Sequence, residues 1–597
     1  MQKIKWAFIG YVSFCLLLAA GFAVSFSFTR VRDPQTLYGT YGGKLKSLDP
    51  AEIGDAGAAN LSGHVYETLY NYAYGEDKYR LIPELADGEP NISADGKTIV
   101  IRIKPGVHFF DATKQVFPDG QGPEVTAEDF VYSWKRVGNF HIGFTANFGQ
   151  LFQGRIVGID DWFEYTKSCK TPADIDWSRP VEGLKALDRY TLQIKLIDPF
   201  PQLLYNLAML PAAVVSRDAV DYWKDRFKHR MVGTGAYGMS EHLPDQQIVF
   251  VANPFYRGGP DVKSGTPIAD ADKLPYVKRV QLNCFDETLP PWYLFLSGQL
   301  DANSIPKDTF GQAIAAGTGN LTPAMENDGI RLIKYKNPQI SYVVFNLNDP
   351  VLGKNKPLRQ AMSLAFDRQR YIDLYLNGRG VPANGPIPPG FPTYDPKRFA
   401  QYCQFNLDAA KEKMKEAIAL NDGKPIPPIR ILFGNTDSSA NQQADFMTTA
   451  MKQIGVQLVA DFKPYGVFLT MLDRDQTQMY SLGWVADYPD EQNYWQLFYG
   501  KNAGGGGLNG SRYRNPAFDA LYERSSVLGP GPERDELYRQ MQDMVLDDCP
   551  MIFNVYPITY QLYHDWMATP WISDYGHGYR AYSKIDFAAR ANWLNQH

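Results

Sequence analysis

Asp95-Gly96-Lys97-Thr98-Ile99-Val100-Ile101-Arg102-Ile103-Lys104-Pro105-Gly106 and Thr126-Ala127-Glu128-Asp129-Phe130-Val131-Tyr132-Ser133-Trp134-Lys135-Arg136-Val137 carry the contrast that decides the fold class. In the first run Ile99, Ile101 and Ile103 alternate with Val100, Arg102 and Lys104 between a tight-turn dipeptide and Pro105-Gly106. A two-residue period bounded by turn residues predicts a half-buried strand. In the second run Thr126 to Asp129 has capping-box character, and Phe130, Val131, Trp134 and Val137 fall on one helical face. A strand followed by a helix is predicted.

The same alternation of periods extends outward. Tyr190, Leu192, Ile194 and Leu196 alternate with Thr191, Gln193 and Lys195, which predicts another strand ending at Asp198-Pro199. A helix is predicted from Pro357 to Leu376, with Pro in its first turn and Gly378 past its end, and another from Asp408 to Leu420, stopping at Asn421-Asp422-Gly423. Strands and helices are mixed throughout, so the class is α/β. Gly-Pro-rich stretches at Gly258 to Pro275 and Gly380 to Pro396 read as loops or crossovers, and Gly504 to Gly507 as a flexible surface loop.

With 597 residues the chain has room for about four domain-sized units. Its formal charge of −5, from 60 Lys plus Arg and 65 Asp plus Glu, provides no bulk field for nucleic acid. Five cysteines, Cys15, Cys169, Cys284, Cys403 and Cys549, lie more than a hundred residues apart, which excludes C-x-x-C metal sites and leaves room for one long-range disulfide. Lys3 and Lys5 precede 24 uncharged residues, Trp6 to Thr29, and Arg30 and Arg32 follow. That layout makes 1–32 a signal peptide or N-terminal membrane anchor and places the rest outside the cytoplasmic membrane.

Motifs of catalysis are absent or out of context. Gly233-Thr234-Gly235-Ala236-Tyr237-Gly238 is a literal G-x-G-x-x-G, but Lys228-His229-Arg230 precedes it and Glu241-His242-Leu243-Pro244 follows, so a plain turn is expected. Ser304 and Lys307 match S-x-x-K, but Pro306 disfavours the helix that such a pair needs. No metal, cofactor or catalytic group is assigned. What stands out is Gly483-Trp484-Val485-Ala486-Asp487-Tyr488-Pro489-Asp490, followed by Tyr494-Trp495 and Phe498-Tyr499, in a chain with 37 Tyr, 34 Phe and 11 Trp. Gly483 would admit backbone to a ligand, Trp484 offers a face, and Asp487 would hold a cation. An aromatic core loop with a capping Asp is the plainer reading of the same residues.

Those residues, with Leu48-Asp49-Pro50, Val65-Tyr66-Glu67-Thr68-Leu69, Val232-Gly233-Thr234-Gly235-Ala236-Tyr237, Asn253-Pro254-Phe255-Tyr256, Gly298-Gln299-Leu300-Asp301 and Gly385-Pro386-Ile387-Pro388 in that order, make the chain resemble the oligopeptide- and dipeptide-binding class (family 5) of ABC-transporter solute-binding proteins. The resemblance implies a periplasmic-binding-protein-like (type II) two-lobe flytrap with an additional inserted α/β domain. Lobe I would comprise 36–72, 211–285 and 557–597, the inserted domain 73–210, and lobe II 286–556. It further implies that Asp487 pairs with a peptide's α-amine, that backbone at Gly483 and Val485 pairs with the ligand, that Trp484 lines the site, and that Asp55 and Ala56 contact ligand from the first lobe. Where a relative has a disulfide, Val485 and Ile340 are expected to make an apolar contact instead. An Arg of some peptide binders is Ser481 here, and a Glu of the first-lobe loop is Gly54. The implied function is a monomeric, non-enzymatic periplasmic receptor, free or anchored, that delivers short peptides to an ABC permease. An oligosaccharide, an opine or a nickel chelate on the same fold is the alternative, ahead of a periplasmic hydrolase.

Overall fold

The computed structural model describes residues 33–42, 45–75, 79–142, 145–259, 269, 272–398, 401–504, 507–568 and 574–597. The N-terminal apolar segment and its proposed cleavage or anchoring lie outside the described residues. Among them, the alternating run forms the strand Thr98–Arg102, with Ile99 and Ile101 buried. It sits in a four-stranded antiparallel sheet with Asn91–Ile92, Thr191–Lys195 and Leu184–Asp188. Helix Ala127–Val137 packs on that sheet. Asp129 Oδ2 accepts from Thr126 N at 2.7 Å and from Thr126 Oγ1 at 2.8 Å, so the predicted box caps the helix. Trp134 is buried, and its indole donates to Ala212 O at 2.9 Å, which joins this insert to the next layer.

That layer is a second four-stranded sheet in the order Thr36–Gly42, Arg279–Phe285, Gln247–Ala252, Tyr237–Leu243, parallel in its first pair and antiparallel in the rest. Residues of both sheets share one apolar core, from Leu37 through Ile101 and Trp134 to Leu282.

The remaining large sheet is organised by the 14-residue strand Met551–His564. Its first half pairs with Gln339–Phe345, and beyond that strand come Met479–Val485, Ile429–Phe433 and Leu458–Phe462. Alternate side chains of Gln339–Phe345 supply two cores on opposite faces: Val343 and Phe345 enter one, and Ile340, Tyr342 and Val344 the other. The second half of Met551–His564 leaves this body and pairs with Ile330–Lys336 and Ala302–Ser304. Trp292, Phe295, Leu300, Ile330 and Leu562 form a core there with Tyr38 of the first body. Two neighbouring chain runs therefore pass between the bodies, one broken at Asn337-Pro338 and the other continuous through Pro557.

One helix expectation is corrected. The run from Pro357 to Leu376 is two helices, Lys356–Leu364 and Arg368–Tyr375. Asp367 caps the second, accepting from Arg370 N at 3.0 Å, and the buried Arg368 guanidinium gathers the carbonyls of Ser363 and Phe366, which a continuous helix would keep for itself, together with Phe553 O of the strand Met551–His564. Among the described residues, Cys169, Cys403 and Cys549 form no disulfide. The G-x-G-x-x-G match is a site of backbone contact: a Cβ on Gly233 would stand 2.2 Å from Val65 O, and one on Gly235 2.7 Å from His64 O. Lys307 of the S-x-x-K match donates to Gln442 and lies 4.6 Å from the Tyr375 ring centroid.

Candidate functional site

Strand Met479–Val485 brings Gly483, Trp484 and Val485 to the end of the large sheet that faces the insert. Its antiparallel register sets Gly483 opposite Ser341, Trp484 opposite Ile340 and Val485 opposite Gln339. Directly opposed residues share a face and successive residues alternate. Ile340 and Val485 are therefore on opposite faces, and the apolar contact expected between them does not form. Gly483 permits a close approach of the neighbouring strand: a Cβ there would stand 3.1 Å from Ile340 O and 3.7 Å from Gln339 Nε2.

After the strand, Asn493 arranges the two side chains that matter. It is fully buried on the short helix Gln492–Trp495. Its Oδ1 accepts from Trp484 Nε1 at 2.7 Å and from Asp487 N at 3.1 Å, and its Nδ2 donates to Asp487 Oδ2 at 2.9 Å. One amide thus fixes the Trp484 indole, the Asp487 backbone and the Asp487 carboxylate together. A second donor arrives from the other body: Gln150 Nε2, on helix Thr145–Leu151, reaches the same Oδ2 at 2.7 Å. Asn206 Nδ2 holds Gln150 in turn by donating to its carbonyl at 3.1 Å.

Both amide donors fall on Oδ2, which leaves Oδ1 directed away from them. Burial pushes the Asp487 carboxyl above its ordinary range, and the hydrogen bonds from Asn493 and Gln150 oppose that without reversing it. No Lys or Arg ion-pairs with Asp487 among the described residues, so the carboxylate is solvated by neutral dipoles alone. Burial, with the Asp487 charge as a lesser contribution, pushes the phenols of Tyr72, Tyr494 and Tyr575 up. The Tyr72 and Tyr575 rings are 5.5 Å apart, and Tyr72 Oη is buried without a protein partner. Across the seam Tyr205 and Tyr488 stack at 5.8 Å and 5°.

Asp55 and Ala56 are elsewhere on the seam. Asp55 caps helix Ala56–Ser62, its Oδ1 accepting from Ala58 N at 2.9 Å, so that oxygen is committed to the helix. Burial raises its pKa, against the pull of those backbone donors. Tyr465 of the opposite body, pushed up to about 12 by burial and then by the Asp55 charge, and the Lys46–Asp473 pair at 3.6 Å mark this edge. The structure thus unites Gly483, Trp484, Val485 and Asp487, and leaves Asp55 and Ala56 outside their hydrogen-bond network. Most of the aromatic wall is core: Tyr494, Trp495 and Phe498 are fully buried, whereas Trp484 and Tyr499 are half-buried. Asp490, not Asp487, is the local cap, accepting from Gln492 N at 2.9 Å and pairing with Arg534 at 2.8 Å. Sequence reasoning missed Asn493 and Gln150. The amides Gln492, Asn493 and Gln496 inside an aromatic run were a usable signal for the first; Gln150 lies 337 positions from Asp487 and left none.

Residues 80–506 match the model of the bacterial extracellular solute-binding proteins, family 5 (middle). The periplasmic oligopeptide-binding protein OppA of Salmonella typhimurium is 24% identical over 557 residues, covering 92% of this chain and 90% of that protein. Among solved structures, the periplasmic binding protein DppA of Helicobacter pylori, in complex with the peptide STSA, superposes with a TM-score of 0.75 at 21% identity over 92% of this chain and 98% of its own. OppA of Listeria monocytogenes bound to peptide gives 0.74 at 20% identity, over 92% and 99%.

Proposed function

The chain belongs to the bacterial extracellular solute-binding proteins of family 5, and from that premise we propose that it binds short peptides with a free N-terminus between its two lobes and passes them to an ABC permease. The observation that carries the reading is the Asp487 carboxylate: a half-buried anion held through Oδ2 by two neutral amides, one from each body, with Oδ1 open. An ammonium leaving water needs a matched anion, and a pre-positioned carboxylate supplies it without rearrangement. Free backbone around Gly483 and Val485 would pair with an extended peptide as an added strand, an interaction blind to sequence.

The lobes would divide at Asn337-Pro338 and near Pro557. The shared core of Trp292 to Leu332 with Tyr38 supports placing 286–336 with lobe I, against the expected start of lobe II at 286. Two chain crossings make a hinge, and a ligand touching Asp487 and the insert together would favour the closed form in which Gln150 reaches Asp487. The protein would act outside the cytoplasmic membrane, as a monomer, and bind without transforming its ligand. Asp55 and Ala56 would contribute at the seam by closing the edge of the cleft.

Isothermal titration with a free-amine tripeptide and its N-acetylated form tests the reading. Tight binding of the first and loss of the second is expected. Equal binding of both removes Asp487 as anchor, and recovery of a sugar or metal chelate by native mass spectrometry of the purified protein overturns the peptide assignment.

A further inference from the structure

Two residues of the run 574–582 have contrasting surroundings. Tyr575 is a seam residue: its ring packs against the core of the first body and against that of the large sheet, and lies 5.5 Å from the Tyr72 ring. Burial, and after it Tyr79, Asp574, Tyr205 and Asp487, push its phenol up, so the Asp487 charge is felt there. His577 instead turns into the first body, its side chain 8% exposed and its Nε2 3.1 Å from Glu84 Oε2. Gly63 admits it, since a Cβ there would stand 2.5 Å from His577 Cβ. Asn71 grips the backbone of His577 from both sides, Nδ2 donating to its O and Oδ1 accepting from its N, each at 3.4 Å. Asn71 Nδ2 also donates to Glu84 Oε1 at 2.8 Å. The strand Tyr70–Tyr72 thus holds His577 through Asn71 and Tyr575 through Tyr72.

We infer that protonated His577 is a positioning residue for ligand binding: paired with Glu84 it seats Tyr575 across the seam, and affinity for peptide falls when the imidazole loses its proton. This regulation rests on the peptide-binding reading of the Asp487 site. The buried charges explain why the proton matters. Glu67 and Glu84 are the anions; Arg257 pairs with Glu67, and Lys104 Nζ donates to Glu84 O at 2.8 Å. Arg580 donates at 2.9 Å to His64, which burial keeps neutral, and the Tyr256 phenol is held protonated by burial and then by Glu67. His577 is the cation placed on the Glu84 carboxylate itself. Loss of its charge leaves that buried carboxylate with neutral donors, Thr68 N at 2.8 Å and Asn71 Nδ2, both fixed on the first body. The partner able to shift is the run 574–582, and Tyr575 moves with it. Burial by itself would lower the imidazole pKa, but the charge and hydrogen bond of Glu84, then the charge of Glu67, raise it overall. Full seating is therefore present below the ordinary value of about 6.5 and lost as pH rises through the raised one.

The peptide's own α-amine titrates near about 8, so affinity against pH alone would mix two groups. Reciprocity separates them: if the protonated imidazole strengthens binding by some factor, bound peptide strengthens the hold of His577 on its proton by the same factor. The test is an NMR titration of ring-labelled histidines in the full-length protein, free and saturated with a free-amine tripeptide. His577→Gln, or His577→Asn where that variant does not fold, identifies the resonance. An upward shift of at least about 0.7 unit is expected, equivalent to the roughly fivefold at which such couplings typically begin. Tyr575→Ala should remove the shift, and His577→Gln should weaken binding about fivefold or more at about pH 6, where the imidazole is charged. A merely structural histidine would lower the melting temperature on substitution and keep a wild-type pKa blind to peptide. A pKa that saturation leaves unchanged, or a shift that survives Tyr575→Ala, overturns the assignment. Failure of the tripeptide to bind the wild type overturns instead the peptide reading on which it rests.

Discussion

The Asp487→Asn substitution separates what the carboxylate does for a ligand from what it does for the fold. Asn493 Nδ2 at 2.9 Å and Gln150 Nε2 at 2.7 Å both point to Oδ2, and the amide carbonyl of the substituted side chain, placed where Oδ2 was, would still accept from both. The open Oδ1 becomes an NH₂, which turns a donor toward the ligand's own ammonium. Removing one partner of a desolvated charge pair costs about 2–5 kcal/mol. Asp487 is half-buried and already shares its charge with two amides, which argues for the middle of that range, about 3 kcal/mol, or roughly a hundredfold in Kd. The ligand-free protein should not be weakened, because burial disfavours the charged carboxylate and the neutral amide removes that burden. Titration with a free-amine tripeptide and its acetylated form, beside thermal melts without ligand, gives both quantities. A fall in melting temperature that parallels the loss of affinity, or equal weakening of the acetylated peptide, would refute the reasoning. The same carboxyl sets a pH dependence. Its pKa in the folded protein is raised above 3.8, so as pH falls through that raised value the carboxylate is lost and wild-type affinity drops, while the Asp487→Asn variant stays flat.

Three more outcomes follow from buried polar contacts. Arg257 donates to Glu67 Oε2 at 2.9 Å and pairs with its other oxygen, both side chains being at most 4% exposed, so Arg257→Met should cost about 3–5 kcal/mol in urea unfolding, and adding Glu67→Leu should recover much of it. Burial alone would lower the pKa of His577, but the charge and hydrogen bond of Glu84 at 3.1 Å raise it, while the same pairing, with help from Arg257, keeps Glu84 low despite its burial. The stability from this pair is present below the ordinary imidazole value of about 6.5 and lost as pH rises through the raised one; from the Glu84 side it is lost as pH falls through the lowered carboxyl value. Glu67, Arg257, His64 and Arg580 surround the pair in both states, and a His577→Gln variant should show a flatter unfolding profile on the alkaline side. Gly233→Ala should lower stability by about 1–3 kcal/mol, since its Cβ would stand 2.2 Å from Val65 O; a melt unchanged from wild type would mean the loop moves aside freely.

The local elements were legible because their periods and caps are local facts. Ile99 and Ile101 sit two apart in a strand and Phe130 and Trp134 four apart in a helix whatever surrounds them. The helix expected from Pro357 to Leu376 is divided at Asp367, whose cap on the second helix is a local signal, and Arg368 beside it binds Phe553 O, a partner that no window of sequence contains. The aromatic run after Gly483 misled for the same reason: stacking surface and core filling use identical residues, and burial alone tells Trp495 from Trp484.

By its order of short motifs the sequence alone determined the family and the α/β class, and it singled out Asp487 as the candidate for an amine anchor. Tertiary structure decided how that carboxylate is presented. The helix Thr145–Leu151 must fold onto the insert and the insert must meet the large sheet before Gln150 can occupy Oδ2 and leave Oδ1 open. The difference has a simple physical cause: hydrophobic period and turn chemistry act over a few residues, whereas the solvation of a buried charge is set by whichever dipoles the fold carries to it.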